Sequence, residues 1–156
     1  MYNKILAALD GSTHGLKAAQ HAIRIAVCMD AELHLLTVTR PYKVSPKLRQ
    51  YLQAENLLGE PKYVMDEMTD SIVSEAKDLA EQAGLSKLKS VVREGKPART
   101  IVEYAQHNQI DLIVLGSRGV GEIESALLGS VSQKVSFLAN CTVMVVRDNR
   151  SPGKGD

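Results

Sequence analysis

The chain has no tryptophan and a single phenylalanine, and aromatic residues make up only 4% of its 156 positions. A core built from such a sequence has to be filled by Val, Ile, Leu and Ala, in keeping with a hydrophobic content of 44%. Cysteine is almost as scarce. Cys28 and Cys141 are the only two; they suit neither a disulfide framework nor a zinc site, and both are expected to be buried small hydrophobes. An excess of one charge is missing too. The formal net charge of +1 argues against a dedicated nucleic-acid binder, which needs a concentrated basic surface to neutralise phosphates. No apolar run approaches the ~18 residues of a membrane span. The opening Met1-Tyr2-Asn3-Lys4 lacks the parts of a signal peptide, so the cytoplasm is the expected compartment. The histidines, at positions 14, 21, 34 and 107, make no metal-binding spacing. His34 reads as structural, and for His14 a ligand contact is one reading among others.

What is present is a regular alternation of strand-like and helix-like segments in a length suited to one compact domain. Ile5 to Leu9 is a continuous apolar run that stops at Asp10-Gly11-Ser12, which is turn and helix-cap chemistry. Leu16, Ala19, Ile23 and Ala26 then recur at helical spacing up to about Met29. Residues 32–38 read as a second strand. Residues 40–62, with Pro41, Pro46 and Pro61, read as a long irregular connection holding a hint of a short helix. A long helix follows over about 63–83, with a stripe of Val64, Met68, Ile72, Ala76, Leu79 and Ala83 and a C-cap at Gly84. A strand over 89–94, a helix from Pro97 to about His107, a strand over 110–115, a helix over about 123–139 and a strand over 142–146 complete the chain. The polar, Gly- and Pro-bearing stretch 148–156 reads as a frayed tail. Strands alternating with helices predict an α/β three-layer sandwich with a parallel sheet and right-handed crossovers.

Open α/β sheets bind ligands beyond the carboxyl ends of their strands, where the strand order reverses. Two such ends carry unusual residues: Asp10-Gly11-Ser12, and Gly116-Ser117-Arg118-Gly119-Val120-Gly121. In the second, glycines permit close backbone approach, consecutive N–H groups can form an anion-binding concavity, the next helix presents its positive end, and Arg118 can meet a phosphate. A loop that merely needs to turn would also use glycine. Neither the P-loop pattern nor the dinucleotide pattern G-x-G-x-x-G is present.

A longer pattern is. Gly116, two residues, Gly119, nine residues, then Gly129-Ser130, behind a strand ending Leu112-Ile113-Val114-Leu115, resembles the ATP-binding branch of the universal stress protein family. Lys4 to Ser12 resembles that family's opening strand and turn, Gly95-Lys96-Pro97-Ala98 its third crossover, and Gly129 to Val135 with Val143 to Arg147 its closing segment. The resemblance spans about residues 2–147 and implies one domain over 1–147. It also implies a five-stranded sheet of order 3-2-1-4-5, the adenine nucleotide alpha hydrolase-like arrangement, with the reversal between strands one and four.

The resemblance further implies a set of ATP contacts. Asp10 would accept hydrogen bonds from the adenosine end, and the backbone of Val38 would face adenine. Gly116 and Gly119 would let the chain wrap ribose and phosphates. Gly129, Ser130, Val131 and Ser132 would hold the phosphates by N–H groups and hydroxyls. Ala8 and Leu115, on the strands beside these, complete the set with Arg118. Mg²⁺ would ride on the phosphates, with no protein metal site. The last strand, Val143-Met144-Val145-Val146, would pair across a two-fold axis with its copy to form a homodimer. Where the family often has Pro before that strand, this chain has Thr142.

Three functions follow. The first is an ATP-binding regulator or sensor in the stress response, with an unidentified protein partner. The second is a slow ATPase or nucleotide hydrolase, for which no dedicated general base stands beside the glycine loop, since Glu122 and Glu124 read as exposed. The third is a nucleotide-free dimeric interaction module, against which the intact glycine pattern speaks.

Overall fold

A computed structural model of the chain describes residues 1–10, 13–40, 46–55, 60–118 and 128–147. In chain order the elements are β1 (Lys4–Leu9), α1 (Thr13–Met29), β2 (Glu32–Thr39), α2 (Pro46–Ala54), α3 (Glu60–Gln82), β3 (Leu88–Glu94), α4 (Pro97–His107), β4 (Leu112–Gly116), α5 (Ser130–Leu138) and β5 (Thr142–Val146). All strand pairs are parallel, and the five-stranded sheet runs β3-β2-β1-β4-β5, the expected order.

The central strands are continuous aliphatic runs because both of their faces are covered. Side chains alternate between two cores. Ile5, Ala7, Leu9, Leu33, Leu35, Leu112 and Val114 pack beneath α1 and α3, against Ala18, Ala22, Ile23, Ala76 and Ala80. Leu6, Leu36, Ile113 and Leu115 pack beneath α4 and α5, against Ala98, Ile101, Val102, Ala105 and Val135. Truncating one of these fully buried leucines or isoleucines to alanine costs about 2–5 kcal/mol. At the amino ends of the strands, Asp111 Oδ2 accepts from the backbone N–H groups of Asn3 (2.7 Å) and Lys4 (2.8 Å), which pins the start of β1 to the start of β4.

Local signals explain most element ends. Gly84, with φ +78°, follows α3. Gly84 N–H donates to Glu81 O and Leu85 N–H to Ala80 O, a Schellman closure. Pro97 opens α4 at a position that has no intrahelical N–H bond to lose.

Four expectations need correction. The short helix hinted at in the connection after β2 is present as α2, but α3 begins at Glu60 rather than about 63. The helix expected over 123–139 begins at Ser130, because Gly129 is extended (φ −70°, ψ 164°) and its N–H is donated to Ser117 O at 2.6 Å; residues 123–127 lie outside the described set. On α3 the side chains of Val64 and Met68 are likewise outside it, and Ala83 is exposed, whereas Val73 and Ala80 join Ala76 in the core. Cys28 is exposed because it falls on the outward stripe of α1 with Gln20, His21 and Arg24, while Ala22 and Ala26 face the core, and Cys141 is half-buried. The tail 148–156 is also outside the described residues.

Candidate functional site

Parallel pairing brings the carboxyl ends of β1, β2 and β4 to one end of the sheet, and the strand order reverses between β1 and β4. Asp10, exposed, stands one residue beyond β1; Val38 is the second-last residue of β2; Gly116 closes β4. Ala8, Val38, Leu115 and Val131 share the apolar cluster beneath α4 and α5, so their side chains form the floor of this end. Arg118 is half-exposed two residues past β4. Gly119, Gly11 and Ser12, together with Glu122 and Glu124, fall outside the described residues.

Gly116 has a steric reason to be glycine. A Cβ built there would lie 2.7 Å from His14 Cβ, 2.8 Å from His14 C and 2.9 Å from His14 O, so the first turn of α1 rests directly on the end of β4. That contact sets how closely Asp10 and the start of α1 approach β4.

The segment after β4 is closed by a clasp. Ser117 N–H donates to Val146 O (2.9 Å), extending the pairing with β5 by one step. Ser117 O accepts from Gly129 N–H at 2.6 Å and from the Ser132 hydroxyl at 2.9 Å. The same hydroxyl lies 3.3 Å from Gly129 O. Ser132 is only 1% exposed. Its hydroxyl and the Gly129 N–H are thereby used inside the protein, holding the two ends of the 117–129 segment together. α5 starts at that junction, Ser130 exposed and Val131 half-buried. A helix start leaves its first N–H groups without intrahelical partners and carries a partial positive charge. The clasp thus holds an anion-attracting helix end beside the carboxyl end of β4, one of the two strands that flank the reversal.

A second polar cluster was not legible from spacing. His34, 2% exposed on β2, is hydrogen-bonded through Nε2 to Glu32 Oε1 (2.5 Å) and through Nδ1 to the Tyr104 hydroxyl (2.8 Å). Because a carboxylate only accepts, Nε2–H donates and a neutral ring accepts from Tyr104 at Nδ1. Glu32 also meets Lys89 Nζ at 3.0 Å, and Arg93 sits 5.9 Å from the Tyr104 ring centre. The hydrogen bond from Lys89, then that from His34, holds the Glu32 carboxyl below its ordinary range, while burial pushes the Tyr104 hydroxyl up. These residues tie β2, β3 and α4 together over a sequence gap of 70 residues. Among the described residues, no group of three or more His, Cys, Asp or Glu could hold a metal ion.

The sequence pattern of the universal stress protein family matches residues 1–147. Universal stress protein YxiE of Bacillus subtilis is 34% identical, over 94% of this chain and 100% of its own. Universal stress protein MJ0531 of Methanocaldococcus jannaschii is 38% identical, over 94% of this chain and 83% of its own. Among solved structures, a universal stress protein in complex with cAMP superposes with a TM-score of 0.68 at 28% identity, covering 94% of this chain and 97% of the other.

Proposed function

This chain belongs to the universal stress protein family, and we propose that within it the protein is an ATP-binding regulator acting in the stress response. The observation that carries the proposal is the clasp: Ser117, Gly129 and Ser132 seat the start of α5 against the end of β4, at the point where the sheet order reverses. A relative of the same fold bound to cAMP supports an adenine nucleotide there.

In the proposed complex Asp10 accepts from the ribose, the Val38 backbone meets adenine, and the floor is Ala8 and Leu115. Gly116 and Gly119 let the chain pass close to the ligand. The N–H groups of Val131 and Ser132, the Ser130 hydroxyl and Arg118 face the phosphates, and Gly129 and the Ser132 hydroxyl hold that end in place. Mg²⁺ is carried by the phosphates, which suits an ion that keeps most of its waters.

The regulatory output runs through β5. At the other sheet edge, β3 carries Lys89 and Arg93, charges that discourage pairing. β5 offers Thr142-Val143-Met144-Val145-Val146 instead, and in the proposed homodimer two such edges pair about a two-fold axis. Nucleotide occupancy reaches that edge through the Ser117–Val146 hydrogen bond. Among the described residues no helix is long and apolar enough to cross a membrane, and a cytoplasmic setting is part of the proposal.

Sedimentation equilibrium with and without ATP, alongside a phosphate-release assay, tests the regulatory reading. It requires a dimer whose association constant changes with ATP while phosphate release stays slow. Rapid steady-state turnover would point to an enzyme. A monomer at all concentrations would remove the proposed output.

A further inference from the structure

The single phenylalanine of the chain lies outside its core. Phe137 stands in the last turn of α5 and is 88% exposed, with Leu138 exposed beside it. At the helical pitch it points about 200° away from Val135, which packs beneath α5 against the sheet. The ring therefore projects from the outer side of the α4/α5 layer.

Four residues further on, Cys141 borders a cavity of about 270 Å³ between the end of α4 and the α5–β5 connection. The buried Val102, Ala105, Ile110 and Ile113 form its inner wall, and the exposed Gln106 and Gln109 stand at its rim. None of the described residues that line it is charged. Ile110 precedes β4 and Cys141 precedes β5, so the cavity lies at the amino ends of these strands, opposite the end of the sheet that holds Gly116 and the start of α5. A dry apolar cavity of roughly 150 Å³ holds a benzene ring, and this one has room for a phenyl group.

We propose that a second copy of this chain fills the cavity with its Phe137 ring, each copy giving one ring and receiving one. An uncharged cavity of ring size suits an aromatic anchor, the kind of side chain that carries most of the binding energy at an interface. Ring and cavity share one end of one layer, so a single two-fold axis between them satisfies both contacts and closes the assembly at two copies. The charges agree with an axis that runs along the helices. Both α4 and α5 return between parallel strands and so run in the same direction. Such an axis preserves that direction and lays α5 of one copy along α4 of the other. Exposed Lys134, one turn before Phe137, then faces exposed Glu103, one turn before Gln106. This surface is separate from the β5 edge and needs no bound nucleotide.

Sedimentation velocity over a concentration series tests the contact, on the unsubstituted chain, on Phe137→Ala and on Gln109→Glu. The first variant removes the ring, and the second puts a charge at the cavity rim, where a seated ring would strip it of water. Both positions are exposed, so melting temperatures should not change. The expected result is self-association of the unsubstituted chain that weakens at least about tenfold in each variant. Unchanged association in Phe137→Ala overturns the inference and leaves β5 as the contact. Weakening in Phe137→Ala alone overturns it too, because the ring would then be seated somewhere other than the cavity. A lowered melting temperature in Phe137→Ala would show the ring engaged within its own chain, with the same consequence. An unsubstituted chain that stays monomeric at every concentration overturns this contact and the β5 dimer together.

Discussion

Replacing Ser132 with alanine separates a clasp from a phosphate ligand. The hydroxyl is buried and donates to Ser117 O at 2.9 Å. Its loss removes one hydrogen bond, worth about 0.5–1.5 kcal/mol. The abandoned carbonyl keeps the Gly129 N–H at 2.6 Å, so the full penalty of an orphaned acceptor does not apply. Alanine also returns a few tenths of a kcal/mol in helix propensity. The net destabilisation is about 0.5–1 kcal/mol, and for a chain of this size that lowers the melting temperature by roughly 1–4 °C. The effect should appear in scanning calorimetry without nucleotide. ATP affinity should fall less than tenfold, because the hydroxyl acts on the ligand only by seating α5. A Ser132→Ala protein with unchanged melting temperature and affinity reduced more than tenfold would refute the clasp, since the hydroxyl would then be spending its hydrogen bond on the phosphate.

Gly116→Ala should destabilise by roughly 1–3 kcal/mol through a clash with His14 backbone, and it should weaken ATP binding as well; urea titration and a binding isotherm on the same sample read both. The Lys89→Met variant tests the Glu32 cluster. Glu32 has a depressed folded pKa, caused first by Lys89, so its stabilisation is present above the ordinary value of 4.5 and lost as pH falls through the folded pKa. The stability gap between parent and Lys89→Met should therefore be at most about 1 kcal/mol at neutral pH, the pair being partly exposed, and should close below that pH range in denaturant titrations. A gap that widened in acid would contradict the assignment. Iodoacetamide should label Cys28 before Cys141, because Cys28 is exposed while burial and then Asp111 push the Cys141 thiol up; mass mapping of the first labelled peptide decides it.

The fold was legible where the chemistry is local. Ile5 to Leu9 and Leu112 to Leu115 are apolar without interruption because helices cover both faces, and the α1 alanines repeat at the helical period. Gly84 and Pro97 mark helix ends by backbone preference alone. The strand order came from family resemblance, since aliphatic strands do not encode their neighbours. Contacts between distant segments stayed hidden. Gly116 and Gly129 stood out as glycines, but that one makes room for His14 and the other ties back to Ser117 required the folded chain. Gly129's bond to Ser117 also delays the start of α5, which periodicity placed several residues too early. His34, Glu32 and Tyr104 show no motif because α4 meets β2 only in space. Cys28 is exposed although its residue type favours burial, because it falls on the outward stripe of α1 with Gln20, His21 and Arg24.

Calorimetric titration of ATP with Mg²⁺ into nucleotide-stripped protein tests the nucleotide site most directly. A clasped helix start at the β1–β4 switch point requires saturable binding near one ATP per chain, weakened in Gly116→Ala. No heat of binding from a protein shown to be folded would contradict the site and leave the sheet edge at β5 as the functional surface.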